Sequence, residues 1–366
     1  MRVVSPDGRP PRCGTPAGPR QRSHAAPTRP RAAEAACIDI GLVNNMPDAA
    51  LEKTERQFIG LLNAAAGERR IRLKLFSLPE IARAGSARDR LRLRYSPIDA
   101  LWDSRLDGLI VTGTEPRAPD LRDEPYWRTL TRIVDWAEAN TRSTIWSCLA
   151  AHAAVLHMDG IGRHALAEKC FGIFNCVRSA NHAIMRGLPA RLPIPHSRWN
   201  ALREEELAAA GYSVLTRSDR AGVDMFARQG NSLFVFFHGH PEYEAHTLLG
   251  EYRRDVRRFL RGERATYPSI PPDYFDERTT RQLAEFRLRA LADRREPLIE
   301  AFPGCSQESL EAPWRPAAER LTANWLKQLT AGKPQQRRPA MPADTAHATT
   351  ADPARRSAVQ ADPRDL

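Results

Sequence analysis

The chain has 366 residues, with 55 Lys and Arg against 44 Asp and Glu, a net charge of +11 and a mean hydropathy of −0.50. This length suits one large domain or two ordinary ones, with enough chain to bury a core. No apolar run approaches the roughly 18 residues a membrane helix needs, the first residues hold no apolar leader, and six cysteines are ordinary usage in a chain this long. A membrane span, a secreted protein and a disulfide scaffold are therefore excluded, and a cytoplasmic globular protein is expected.

The excess charge is unevenly placed. Residues 1–36 hold seven Arg against Asp7 and Glu34, and residues 331–366 hold six basic against four acidic residues. Together these segments carry 12 of the 29 prolines and no apolar periodicity. Both are expected to be disordered tails, because neither can bury enough surface to offset chain entropy. No aromatics interleave the N-terminal arginines as a single-strand binding platform would require, so a nucleic-acid partner is not expected. The domain is expected over residues 37–330, whose net charge is only +4.

Within that span strand-like and helix-like segments alternate. Ile38–Val43 reads as a buried strand. Residues 48–65 have helical spacing behind Asp48. Arg72–Leu78 alternates as a strand, and Asp107–Gly113 is an apolar run closed by glycine, as buried parallel strands are. Tyr126–Asn140 predicts an amphipathic helix, Ser143–Ser147 a short strand and Leu149–Met158 a helix of small residues. Tyr212–Thr216 and Val223–Ala227 read as a hairpin, and Ser232–Phe237 is strongly β-prone. Residues 279–298 and Trp314–Leu329 predict two further amphipathic helices. The alternation implies an α/β fold: a doubly wound, mostly parallel sheet with helices on both faces.

Two segments carry chemistry. Cys148 falls between a strand and a helix in Trp146-Ser147-Cys148-Leu149-Ala150-Ala151-His152. A strand-to-helix turn exposes a nucleophile at the carboxyl end of the sheet and aims the helix N-terminus at it, which favours a thiolate and an oxyanion beside it. A buried structural cysteine is the alternative. The second segment, Phe237-His238-Gly239-His240-Pro241-Glu242-Tyr243, ends a β-prone run in two histidines and a carboxylate. These are the parts of a base and its orienter. They could also be a metal pair or polar loop residues, although no third metal ligand is evident. Cys170, Cys176, His164 and His182 show no zinc spacing, and the two cysteines are expected to be core thiols. Neither a metal nor any other cofactor is expected.

Cysteine followed by His-Pro-Glu, both after strands, resembles the class I glutamine amidotransferase-like fold. More closely, Gly41-Leu42-Val43-Asn44-Asn45-Met46-Pro47-Asp48, Asp107–Gly113, Tyr126-Trp127, Glu168-Lys169, Pro195-His196-Ser197-Arg198, Gly239–Tyr243 and Asn324-Trp325-Leu326 resemble the homoserine O-acyltransferases of methionine synthesis. That family comprises homoserine O-succinyltransferases and O-acetyltransferases. The resemblance runs from about Ile38 to Phe275 and resumes over Trp314–Leu329, leaving the segment near 279–311 as an expected insertion.

The resemblance implies that Cys148 forms an acyl-thioester from an acyl-CoA, with His240 as general base and Glu242 as its partner. His240 is preferred to His238 because the family's histidine directly precedes Pro-Glu. It implies substrate contacts for Lys169 and Ser197, a carboxylate clamp at Arg253, and oxyanion donors at Leu149 and the Gly113-Thr114 loop. Succinyl-CoA or acetyl-CoA and L-homoserine are the implied partners, and a homodimer the implied assembly. The loop Thr112–Arg117 departs most from the family pattern. Arg117 occupies the position that influences acyl choice, and it is expected either to pair with the distal carboxylate of succinyl-CoA or to point outward. His152 stands where the family more often has Gln, which keeps L-serine open as acceptor. A glutaminase on the same fold is the competing reading, but Trp146 and Ala150 replace the glycines of its usual Gly-x-Cys-x-Gly.

Overall fold

The computed structural model describes residues 3–4, 37–304 and 310–331. Strands Cys37–Val43 (β2), Arg70–Phe76 (β3), Gly108–Thr112 (β4), Ser143–Ser147 (β5) and Leu233–Phe237 (β10) pair in parallel in the order β3-β2-β4-β5-β10, and Val3–Val4 (β1) adds to β3. Beyond β10 the sheet turns antiparallel through Gly222–Gln229 (β9), Ser213–Ser218 (β8), His164–Arg178 (β6) and Arg191–Ala201 (β7). The sheet is thus doubly wound as expected, with an antiparallel half that sequence reading saw only as one hairpin. Apart from Val3–Val4 and Ala331, the two expected tails lie outside the described residues.

The parallel strands are apolar on both faces because helices cover both. Ile38, Ile40, Leu42, Ile110 and Ile145 pack against Asp48–Ala65 (α1) and Arg315–Thr330 (α9). Val43, Leu109, Val111 and Trp146, offset by one residue, pack against Trp127–Asn140 (α4) and Leu149–Asp159 (α5). The Asn324-Trp325-Leu326 motif is structural. Trp325 is fully buried and donates to Ser143 Oγ at 2.9 Å, and Asn324 donates to the carbonyls of Ile184 and Arg186. Those bonds satisfy polar groups that burial would otherwise leave costly.

Thr247–Leu260 (α7) and Glu277–Ala292 (α8) form a third apolar cluster, in which Tyr252, Val256 and Phe259 meet Leu283, Phe286 and Ala290. The expected insertion near 279–311 therefore packs on α7 and buttresses it. The long β6–β7 hairpin was not foreseen. Pro193 and Pro195 weaken the strand signal of β7, but β7 is the outer strand, where missing N–H donors are tolerated.

Registers fix where the site lies. Thr112 pairs with Ser147, and Ser147 with Phe237, so three strands end level. The loops after them bring Gly113, Cys148 and His238–His240 together at the carboxyl edge, where open α/β sheets bind ligands.

Candidate active site

Cys148 holds φ 53° and ψ −114°, outside the conformations ordinary side chains favour. Its N–H donates to the Phe237 carbonyl at 2.7 Å, which ties the turn to the neighbouring strand. Such strain costs on the order of 1–3 kcal/mol and survives only where surrounding structure imposes it. Leu149 then opens α5, so the first N–H groups of a helix surround the thiol.

His240 and Glu242 are buried. Glu242 Oε1 accepts from His240 Nδ1 at 2.8 Å, and the Cys148 thiol lies within electrostatic reach of the same imidazole. Burial disfavours charge on His240, but the Glu242 carboxylate and Cys148 outweigh it and hold its pKa well above the usual value. The imidazolium is thus stabilised beside the sulfur. His240 N–H donates to the Pro195 carbonyl, and Tyr243 stacks on the ring at 4.3 Å, so two elements fix its plane.

His238 has a different setting. Its Nδ1 bonds the Val223 carbonyl, its ring stacks on His152 at 4.7 Å, and burial lowers its pKa to about 3. Strand β10 ends at Phe237, so the two histidines are not alternate residues of one strand face.

Beneath this loop, Cys176, His196 and Asp224 lie within 4.8 Å of one another, the one such group of ligand-type side chains among the described residues. Their bonding capacity is largely engaged. His196 Nε2 lies 3.2 Å from Asp224 Oδ1, Thr216 donates to Asp224 Oδ2, and Arg198 Nε donates to His196 Nδ1. The Asp224 backbone carbonyl accepts from His238 N. Gly239 packs so closely that a Cβ there would fall 2.6 Å from Asp224 Oδ1, so glycine is required. Cys170 and Cys176 are buried, and burial pushes both thiols up.

Lys169 and Ser197 meet at a second cluster. Lys169 Nζ donates to Asp255 at 2.8 Å and lies 3.7 Å from Glu251, while Ser197 Oγ donates to Glu251 Oε2. Tyr243 donates to Glu251 Oε1 at 2.6 Å, joining this cluster to the face of His240. Burial opposes charge on Glu251, yet Lys169 and Arg254 keep it ionised.

Arg253 is not brought into the cluster. Its guanidinium sits 6.0 Å from the centre of the Phe302 ring, whereas Arg254 lies 2.9 Å from Asp255 and 4.0 Å from Glu251. Glu251, Arg254 and Asp255 share one flank of α7 by i, i+3 and i+4 spacing, a signal the sequence contained. Arg117 is exposed on its loop, and its backbone N–H donates to Glu124 Oε1.

Gly113 lies directly over the start of α5. A Cβ on Gly113 would fall 2.9 Å from the Leu149 nitrogen and 2.6 Å from its Cβ. The Leu149 N–H is therefore approached by a side-chain-free loop, as an oxyanion site requires. Gly113→Ala is expected to lower kcat by roughly 10²-fold, the cost of displacing one oxyanion donor, and, because the new Cβ clashes with the Leu149 backbone, to lower the thermal midpoint as well. Steady-state kinetics with a melting curve checks this, and an unchanged kcat would remove Leu149 from the oxyanion role.

A thiol on a strained strand-to-helix turn, beside a histidine and a glutamate at the edge of a doubly wound sheet, marks the candidate active site of an α/β enzyme. The family model described as homoserine O-succinyltransferase matches residues 22–334, starting inside the segment read as a tail. Homoserine O-succinyltransferase of Rhodopseudomonas palustris is 52% identical over 81% of this chain and 89% of its own length. The enzymes of that name from Bradyrhizobium japonicum and Methylorubrum extorquens are 50% and 47% identical, covering 81% and 79% of this chain and 91% and 86% of their own. This chain belongs to the homoserine O-succinyltransferase family. Among solved structures, a glutamine amidotransferase from Methylobacillus flagellatus aligns with TM-score 0.46 at 16% identity, covering 82% of this chain and 99% of that one. One from Thermotoga maritima aligns with TM-score 0.44 at 10% identity, covering 80% and 99%. Among the described residues, no helix is long and apolar enough to cross a membrane.

Proposed function

We propose that this chain transfers the succinyl group of succinyl-CoA to the hydroxyl of L-homoserine, the first step from homoserine toward methionine, in two half-reactions through Cys148. The observation that carries the reading is Cys148 at its strained turn, within electrostatic reach of a His240 that Glu242 keeps basic. The names of the relatives supply the substrates.

In the first half-reaction the Cys148 sulfur attacks the thioester carbonyl carbon. The carbonyl electrons move onto oxygen, toward the Leu149 N–H and the Gly113 loop, and return as the bond to the coenzyme sulfur breaks. That sulfur leaves with the proton held on His240. In the second, His240 takes the proton from the homoserine hydroxyl as its oxygen attacks the acyl-enzyme, and the Cys148 thiolate is released. Glu242 fixes the imidazole so that one nitrogen serves both transfers.

The Lys169, Ser197, Glu251 and Arg254 cluster suits an amino-acid zwitterion: Glu251 for its ammonium, Lys169 and Arg254 for its carboxylate. Arg254, not Arg253, takes the clamp role, because only Arg254 joins Glu251 and Asp255. Arg253 instead lines a cleft of about 450 Å³ with Arg254, Arg257, Arg258 and Arg261. This arginine face suits the phosphates of an acyl-CoA.

The test is a matrix of succinyl-CoA and acetyl-CoA against L-homoserine and L-serine, with glutamine hydrolysis alongside. Succinyl-CoA with L-homoserine is expected to give the highest kcat/KM. Glutamine hydrolysis without acyl-CoA turnover would establish the glutaminase reading instead.

A further inference from the structure

The side chains of β7 divide between two tasks. Ser197 faces the cluster around Glu251, while His196 and Arg198, one residue to either side, turn to the opposite face beneath the His238-Gly239-His240 turn. There His196 meets Asp224 of β9, a strand that is not its neighbour. β8 and β6 lie between β9 and β7 in the sheet, and β6 pairs with β8 only where Val177 meets Arg217 and Arg178 meets Thr216. Past those pairs the β6–β7 hairpin curls back, since His196 Nε2 lies 3.2 Å from Asp224 Oδ1 and the Pro195 carbonyl accepts from His240 N–H at 2.8 Å.

The contact belongs to a completed polar network. His196, Arg198, Thr216 and Asp224 are all buried. Burial lowers the His196 pKa, so the ring is neutral, with one nitrogen to donate and one to accept. Nε2 donates to Asp224 Oδ1, and Nδ1 accepts from Arg198 Nε at 3.3 Å. Thr216 donates to Asp224 Oδ2 at 2.6 Å, and Arg198 also donates to the carbonyls of Asn200 and Ala221. No buried side-chain nitrogen or oxygen of these residues lacks a partner, and a fully satisfied network of this kind holds its elements rigidly. Gly239 rests directly on it. A Cβ there would fall 2.6 Å from Asp224 Oδ1 and 3.0 Å from His196 Nε2, and the Asp224 carbonyl accepts from His238 N–H at 2.8 Å. The pair thus touches the turn between its two histidines.

We propose that His196 and Asp224 are positioning residues for the second half-reaction. Together they lock the β6–β7 hairpin, which carries Lys169 and Ser197, onto the turn that carries His240. The lock sets where the homoserine hydroxyl stands between His240 and the acyl-enzyme. This rests on the two-step reading of Cys148 and on the amino-acid reading of the cluster around Glu251. The first half-reaction does not depend on the lock in the same way. It draws on Gly113, Cys148, His240 and Glu242, which follow β4, β5 and β10, so the hairpin supplies no side chain to it. Orientation of a bound reactant is worth enough that a shift of about 1 Å between acceptor and base costs on the order of 10²-fold in rate.

The experiment separates the two half-reactions by rapid mixing on the full chain. Succinyl-CoA without acceptor gives the rate of the coenzyme A burst, and L-homoserine added to the acyl-enzyme gives the rate of discharge. Wild type is compared with His196→Leu, His196→Gln and Asp224→Asn, with a melting curve for each. His196→Leu is expected to keep the burst within about threefold of wild type and to slow discharge by roughly 30–100-fold. His196→Gln is expected to recover most of the discharge rate, because its amide can donate to Asp224 and accept from Arg198 at once. Asp224→Asn keeps the shape of the network and is expected to show the same split to a smaller extent. It takes the place of His196→Leu should that variant not fold. A folded variant that discharges at the wild-type rate, or that slows both steps equally, overturns the positioning role and leaves the two-step reading standing. A wild type that releases no burst of coenzyme A overturns the two-step reading, and the proposal with it.

Discussion

Cys148→Ala is expected to abolish acyl transfer, with kcat falling by about 10⁴-fold or more, as when a covalent nucleophile is removed. Incubation of wild type with succinyl-CoA and no acceptor should add the mass of one succinyl group to the peptide carrying Cys148, and the alanine variant should stay unmodified. The expectation follows from geometry. The turn at φ 53° places the thiol beside His240 and at the start of α5, and no other described cysteine has such surroundings: Cys37 is exposed at the start of β2, and Cys170 and Cys176 are buried with raised pKa values. Alanine keeps the Cβ and therefore the strain. Cys148→Gly relieves the strain, at an entropic cost of roughly 0.5–1 kcal/mol, and is expected to be equally inactive but at least as stable as Cys148→Ala. An inactive Cys148→Ala whose wild-type parent forms no acyl adduct would instead indicate direct transfer between bound substrates.

The parallel half of this fold was legible because its strands are short apolar runs ended by Gly113, Cys148 and His238. Gly108–Thr112, Ser143–Ser147 and Leu233–Phe237 each lie within one or two residues of where the pattern puts them. The antiparallel half was less legible. β6 has an exposed, partly charged first half with a register shift between Ala165 and Cys170, and β7 carries two prolines, so neither alternates cleanly. At the candidate site, Cys148 at a strand-to-helix turn and the two histidines with Glu242 were legible from local order, but only the family resemblance separated His240 from His238, and the structure gives the two different settings. The Arg253 and Arg254 pair was separable by helix spacing: Arg254 follows Glu251 by three residues, while Arg253, about 100° round the helix, lies by Phe302.

Glu242→Gln is the other substitution expected to cost most, lowering kcat by about 10²–10⁴-fold while keeping the shape of the site. The amide oxygen can still accept from His240 Nδ1, so the ring stays oriented, but the charge that holds its pKa up is gone. The part of the pH–kcat profile that reports His240 should therefore move to lower pH. Stability should respond in the same sense. A histidine whose folded pKa lies above its unfolded value of about 6.5 contributes stability that is complete below that value and is lost as pH rises through the folded pKa. Wild type should thus exceed Glu242→Gln in unfolding free energy at pH 6, and the gap should narrow steadily toward pH 9. Urea denaturation of both proteins across that range, with the pH–kcat profiles, reads both effects. A gap that stays constant, with a profile that does not move, would mean that Glu242 orients the ring by hydrogen bonding alone and that its charge plays no part in the transfer.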